Sequence, residues 1–190
     1  MKFYTFLFTG ILARSADPNV SECMNGRTCV RNIPNCSPMN NADCALVAYN
    51  VADDKLNVTM IHSGANTWTA VGFGPRTSMY NSDITYCQNG SSGVKLVSSF
   101  AYGNGRPSDI PGLEGYYNLE TPQTGNVYGC TFQKDLKTQK KGKNIDLGNN
   151  DYHVLLAKGP MWGDRPGYHG YGTQNRLATK KKLSFKPKEV

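Results

Sequence analysis

Three histidines occur in this sequence, at positions 62, 153 and 169, and their settings differ. His62 closes an alternating segment before a turn, and His153 lies inside an apolar run, so both suit structural roles. His169 sits in Pro166-Gly-Tyr-His-Gly170, a glycine-containing loop. Loops held by a rigid scaffold are where binding residues concentrate. A second unusual residue is Met79, whose thioether lies in the small and polar stretch Thr77-Ser-Met-Tyr-Asn-Ser-Asp83. Methionine ordinarily fills cores, so a loop methionine calls for a reason. The Met79 and His169 loops are therefore read as two halves of one function.

Other chemistry finds little support. There is no Gly-x-Ser-x-Gly elbow, no phosphate-cradling glycine loop and no EF-hand spacing. The carboxylate pairs Asp53-Asp54 and Glu114/Glu120 fall in turns and loops, where they solvate the chain. A complete enzyme is not expected. Six cysteines stand at positions 23, 29, 36, 44, 87 and 130. The absence of Cys-x-x-Cys or a nearby histidine argues against zinc, and an even count in an exported chain implies disulfides.

Export is expected from the amino terminus. Lys2 precedes the short apolar run Phe3 to Ala13, and Ala13-Arg-Ser15 offers a cleavage site, so residues 1–15 read as a signal peptide. The run is too short to cross a bilayer, no other stretch could, and the carboxyl end lacks an apolar anchor. The expectation is a secreted protein without a transmembrane segment. Sequons at Asn19, Asn57 and Asn89 agree with a glycosylated surface; Asn35-Cys-Ser37 is a poorer one.

The formal charge is +7; without Lys2 and Arg14, 19 basic residues face 14 acidic ones, leaving +5. The excess sits in Lys134–Lys143 and Lys180–Lys188, read as a solvated loop and tail. Stacking motifs for nucleic acid are lacking. Weak attraction to anionic glycans or a membrane surface remains compatible.

The elements that must position the two loops are strands. Residues 16–44 form a cysteine-rich arm and residues 179–190 a basic tail, leaving 45–178 as the body. Ala45–Val51, Leu56–His62, Thr67–Phe73, Asp83–Cys87, Val94–Tyr102 and Gly125–Phe132 have strand character. So do Tyr152–Ala157, expected as a central strand ended by Gly159-Pro160, and Leu183–Phe185, a final edge strand. Leu56, Val58 and Met60 share one face, with Asn57 and Thr59 on a solvated one. Thr67–Phe73 should also bury a single face. Gly103–Gly115 reads as a loop without regular structure. Short strands with frequent turns and no helices between them indicate an antiparallel β-sandwich.

Trp68-Thr-Ala-Val-Gly-Phe-Gly, then Ser78-Met79 and Asp83, resembles the DOMON domain motif of tryptophan, Val-Gly-Phe, methionine and aspartate. Tyr152-His-Val-Leu-Leu-Ala-Lys-Gly-Pro160 and Tyr168-His-Gly170 resemble that family's last core strand and histidine loop. The early cysteines, Cys87, and Cys130 in Gly129-Cys-Thr-Phe132 are similar to those of ferric-chelate-reductase-like members. The resemblance spans roughly residues 23–176.

It implies a disulfide-stapled sandwich of about ten strands and, as in the family's cytochromes, a haem b held between a methionine and a histidine. Carried over, those ligands are Met79 and His169. Thioether and imidazole suit low-spin iron, and filling both axial positions leaves electron transfer as the chemistry. An acceptor to orient the imidazole is needed, and none is identified in the sequence. The reductase members continue into a transmembrane cytochrome domain, so a chain stopping at Val190 would need an outside electron donor, a redox partner the sequence does not identify. The alternative is a haem-free module whose glycine-rich loops recognise an extracellular carbohydrate or protein. Clustering pairs Cys87 with Cys130 and the four early cysteines among themselves.

Overall fold

The computed structural model describes residues 20–23, 26–170, 172 and 174–186. The expected signal peptide and the Asn19 sequon lie outside the described residues. No α-helix occurs among those described.

Strands β1 (Val20–Cys23), β2 (Arg27–Arg31), β3 (Ala45–Ala52) and β4 (Lys55–Ser63) open the fold. Next come β5 (Thr67–Gly74), β6 (Ser82–Gly90), β7 (Gly93–Ala101) and β8 (Ser108–Asp109). Then follow β9 (Tyr116–Glu120), β10 (Gln123–Thr124), β11 (Val127–Asp135), β12 (Lys137–Lys140) and β13 (Lys143–Asp146). The chain closes with β14 (His153–Trp162), β15 (Arg165–Pro166) and β16 (Arg176–Ala178).

Two seven-stranded antiparallel sheets result. Sheet I has the order β1-β2-β3-β4-β11-β10, with β9 also on β11; sheet II has the order β15-β14-β5-β6-β7-β8, with β16 also on β14. The hairpin β12–β13 stands apart. The molecule is an all-β antiparallel sandwich.

The sandwich follows from alternation. Side chains two residues apart share a face, so Val47, Tyr49, Leu56, Val58, Met60 and Phe132 of sheet I meet Val71, Phe73, Val154 and Leu156 of sheet II in one core. The Cys87–Cys130 disulfide joins β6 to β11 across that core, closing a separation of 43 residues. Loop-closure entropy makes such a link worth about 4 kcal/mol. Cys23–Cys29 and Cys36–Cys44 pair the early cysteines among themselves.

Several elements differ from expectation. The face of β4 read as solvated is half covered, because Arg27 Nη1 donates to Thr59 Oγ1 at 2.8 Å and leaves Thr59 only 8 % exposed. β5 is buried on both faces rather than one. Gly159-Pro160 does not end β14, which continues to Trp162. The glycine leaves room for the Trp68 indole, since a Cβ there would lie 2.8 Å from Trp68 Cε2. The Gly103–Gly115 loop contains the short strand β8, paired with β7. The Leu183 segment makes a single bridge to Tyr152, while Phe185 is 1 % exposed against Tyr49 and Phe73.

Candidate functional site

The outer face of sheet II is where the alternation leaves a concavity. From β5 it presents Trp68, Ala70 and Gly72, from β6 Ile84 and Tyr86, and from β14 Leu155 and Ala157. Small residues at the middle of β5 and β14 keep the floor low between the larger rings. Gly72 can be enlarged only if its neighbours shift, because a Cβ there would lie 2.5 Å from Ile84 Cδ1 and 3.2 Å from Leu155 Cβ. A cavity of about 260 Å³ sits on this floor, closed by Met79, by Asn104–Pro107 and by Pro166–His169. A second hollow of about 570 Å³ adjoins it toward Arg176–Ala178 of β16, and Met79 and His169 line both.

Met79 is half-buried and packs against the apolar cluster of Trp68, Ile84 and Tyr86. Its loop is anchored where Ser82 Oγ donates to the Ser78 carbonyl at 3.3 Å. The His169 loop is tied down by the Trp68 indole, whose Nε1 donates to the Gly167 carbonyl at 3.0 Å. That bond gives the tryptophan of the sequence motif a positioning role. The His169 ring meets Trp68 edge-on at 6.2 Å and stacks on Tyr168 at 4.7 Å. His169 Nδ1 lies 2.5 Å from the Gly170 carbonyl, which can only accept, so Nδ1 is the donor. The backbone oxygen of Gly170 is thus the hydrogen-bond partner of the His169 ring.

The opposite face of the same strands holds buried charge. Asp83 is fully buried and accepts from both Lys134 Nζ and Lys140 Nζ. Lys140 Nζ also lies 3.0 Å from the Tyr116 hydroxyl, which is 2.7 Å from Thr85 Oγ1. The reading of Lys134–Lys143 as a solvated loop is therefore corrected: Lys134 is 0 % and Lys140 4 % exposed. Both are drawn inward because a carboxylate buried between the sheets is tolerated only with partners. Burial alone would raise the Asp83 carboxyl, but the two ammonium groups prevail and hold it below its usual range. Burial would also raise the Tyr116 phenol, and Lys134 and Lys140 turn that shift downward.

The remaining predicted residues scatter. His62 is fully buried beside Lys158, with neither ring nitrogen hydrogen-bonded; burial, then that cation, push it down to about 4. His153 Nδ1 is bound to the Thr179 carbonyl at 2.8 Å. Neither approaches the cavity. Asn57 is half-buried and accepts from Gln133 Nε2 at 2.9 Å, while Asn89 is 8 % exposed within β6. Among the described residues, no three His, Cys, Asp or Glu side chains gather as a metal set.

Residues 40–159 match the profile of the DOMON domain. The chain belongs to the DOMON family. Among similar proteins are mouse ferric-chelate reductase 1, 26 % identical over 89 % of this chain, and its Drosophila melanogaster homolog, a putative ferric-chelate reductase 1, 26 % identical over 85 %. The domain spans about a quarter of each, 28 % and 26 %. The cytochrome domain of Myriococcum thermophilum cellobiose dehydrogenase shares the fold with a TM-score of 0.54 at 10 % identity, over 88 % of this chain and 85 % of that one. The cytochrome b domain of Coprinopsis cinerea pyranose dehydrogenase does so with a TM-score of 0.52 at 14 % identity, over 87 % and 84 %. This DOMON domain thus carries its open cavity on the outer face of sheet II, with the motif methionine and histidine both at its wall.

Proposed function

We propose that this DOMON domain is an extracellular electron-transfer module that binds a b-type haem through Met79 and His169. The observation that carries the reading is that one thioether and one imidazole line the same largely apolar cavity. The donor set suits the group, since imidazole and thioether together favour low-spin iron at a raised potential. The low floor of Ala70, Gly72 and Ala157 suits a flat ligand. Haem so bound would cycle between ferric and ferrous iron with no coordination position left for substrate.

The chain's own residues have definable tasks in this reading. His169 offers Nε2 while Nδ1–H donates to Gly170, which fixes the tautomer and the ring's direction. The Trp68–Gly167 bond limits movement of the loop. Ile84, Tyr86 and Leu155 would keep water from a haem held in this cavity. Export to an oxidising compartment agrees with three disulfides and no free cysteine among the described residues.

The test is the visible spectrum of the protein expressed through a secretory pathway with haem supplied. A Soret band that sharpens and shifts on dithionite reduction is expected. Met79→His should keep the low-spin spectrum and lower the reduction potential. A colourless product sinks the reading. It would leave the haem-free binding module, which Trp162 favours, its indole being 70 % exposed and able to stack on a sugar ring.

A further inference from the structure

Lysines of the β12–β13 turn and of residues 181–182 are far apart in sequence yet come to one end of sheet II. Gly74 pairs with His153, and Ser82 with Ala101, so three loops, between β5 and β6, after β7 and before β14, leave the sheet together. The first carries Met79 and exposed Arg76, and the second carries exposed Arg106 at the cavity wall. The β12–β13 turn is held at this end by Tyr102, whose hydroxyl donates to the Lys141 carbonyl at 3.2 Å. It exposes Lys141 and Lys143. The segment after β16 is fastened by the His153–Thr179 bond and the Tyr152–Leu183 bridge, and it exposes Lys181 and Lys182.

Among the described residues, few carboxylates stand near these cations. Asp109 accepts from Ser99 Oγ at 2.7 Å and Asp151 is exposed beside Tyr152. Asp83 is buried with its own lysines, and Asp135 and Asp146 are paired with Lys55 and Lys137. Asp53 and Asp54, in the β3–β4 turn of sheet I, lie toward the β11–β12 junction, sharing a hollow with Lys137 and with Gly148–Asn149 of the loop before β14. On the sheet II side, exposed Arg76, Arg106, Lys181 and Lys182 outnumber the carboxylates Asp109 and Asp151. Exposed aromatic rings border it: Tyr80, over which Arg76 lies at 5.3 Å, Tyr102 and, across the cavity, Tyr168 on His169.

From this arrangement we infer that the basic end of sheet II is the docking surface for the acidic face of a redox protein that exchanges electrons through the adjacent cavity mouth. The inference rests on the haem reading above. Charge complementarity selects the partner, because opposite potentials steer encounter and fix orientation. The mixture of tyrosine and arginine at the rim is the composition of protein interfaces. A binding face for anionic polysaccharide would need the lysines but neither the aromatic rim nor the nearness to Met79 and His169.

The experiment uses the haem-loaded protein and a flavodoxin as the acidic one-electron probe. Electron exchange is followed by stopped flow, and binding to the haem-free protein by calorimetry. Exchange should fall steeply between 50 mM and 300 mM salt, as a screened encounter does. Lys181→Glu/Lys182→Glu, together with Arg106→Glu, should slow exchange and weaken binding by roughly tenfold or more, a typical scale for steered association. Lys95→Glu, at the start of β7 on the opposite end, should change neither. Salt-independent exchange, or equal rates in all variants, overturns the docking surface while leaving the haem reading intact. A protein without a Soret band removes the haem reading, whereas charge-dependent flavodoxin binding would still uphold an acidic partner. Binding of a heparin fragment that competes with nothing on the flavodoxin surface, with flavodoxin itself unbound, also overturns the inference.

Discussion

Asp83 and Ile84 are neighbours in β6, yet they serve two different regions. Asp83 points between the sheets to Lys134 and Lys140, and Ile84 points outward to the wall of the cavity that Met79 and His169 share. The pleat makes this separation possible, since successive side chains leave opposite faces of a strand. The inner region is closed and charged, and each ion there is tolerated only through its partners. The outer region is apolar and open, which leaves surface that a bound group can cover. Inner-face changes should therefore appear in stability, and outer-face changes in ligand binding.

The largest effect is expected from Asp83→Asn. It leaves two buried ammonium groups facing one another, at a cost of about 3–5 kcal/mol, measurable by urea unfolding. A loss under about 1 kcal/mol would break the contrast. Acid should act in the same place. The Asp83 carboxyl is lower in the folded chain than the ordinary carboxylate value near ~3.9, so its contribution is whole above that pH and lost as the pH falls through the folded value.

His62 sets the next effect. Its folded value of about 4 lies below the unfolded ~6.5, so the unfolded chain takes up the proton first and stability declines as the pH drops from one to the other. The total is roughly 3 kcal/mol. His62→Leu should flatten that slope in thermal melts between pH 7 and pH 4, and an unchanged slope would place the acid sensitivity elsewhere.

On the outer face, Gly72→Val should cost ~1–3 kcal/mol by overpacking against Ile84 and Leu155, and should also exclude haem by raising the floor. Stability without haem uptake would confine the effect to the cavity. The smallest stability change belongs to His169→Ala, within about 0.5 kcal/mol because the ring is half-buried at a loop, yet it should abolish the low-spin spectrum. His62→Ala should retain that spectrum. A large unfolding effect from His169→Ala, or a retained spectrum, would dissolve the proposed division between the faces.

Much of the fold was legible in alternation. Leu56, Val58 and Met60 fell on the core face, and the early cysteines paired among themselves. The β5 sequence also carried an unread signal: inward positions hold Val71 and Phe73, while outward ones hold Ala70 and Gly72. Small residues on one face of a strand with large ones on the other mark a surface that something lies against. Lys134 and Lys140 were not legible, because a lysine in a lysine-rich stretch looks the same whether it is solvated or paired. The partner that buries them lies 51 and 57 residues away.

By itself, the sequence determined the principal strands, the core face of β4, the cysteine framework and the two loops bearing Met79 and His169, since these depend on periodicity and local residue type. Tertiary structure alone decided the burial of both faces of β5, that the two loops close one cavity, that the Gly170 carbonyl meets the His169 ring, and that lysines of the β12–β13 turn and of residues 181–182 come to one end. Those outcomes depend on which strands pair and in what register, and register sums contacts over the whole sheet rather than residing in any short stretch.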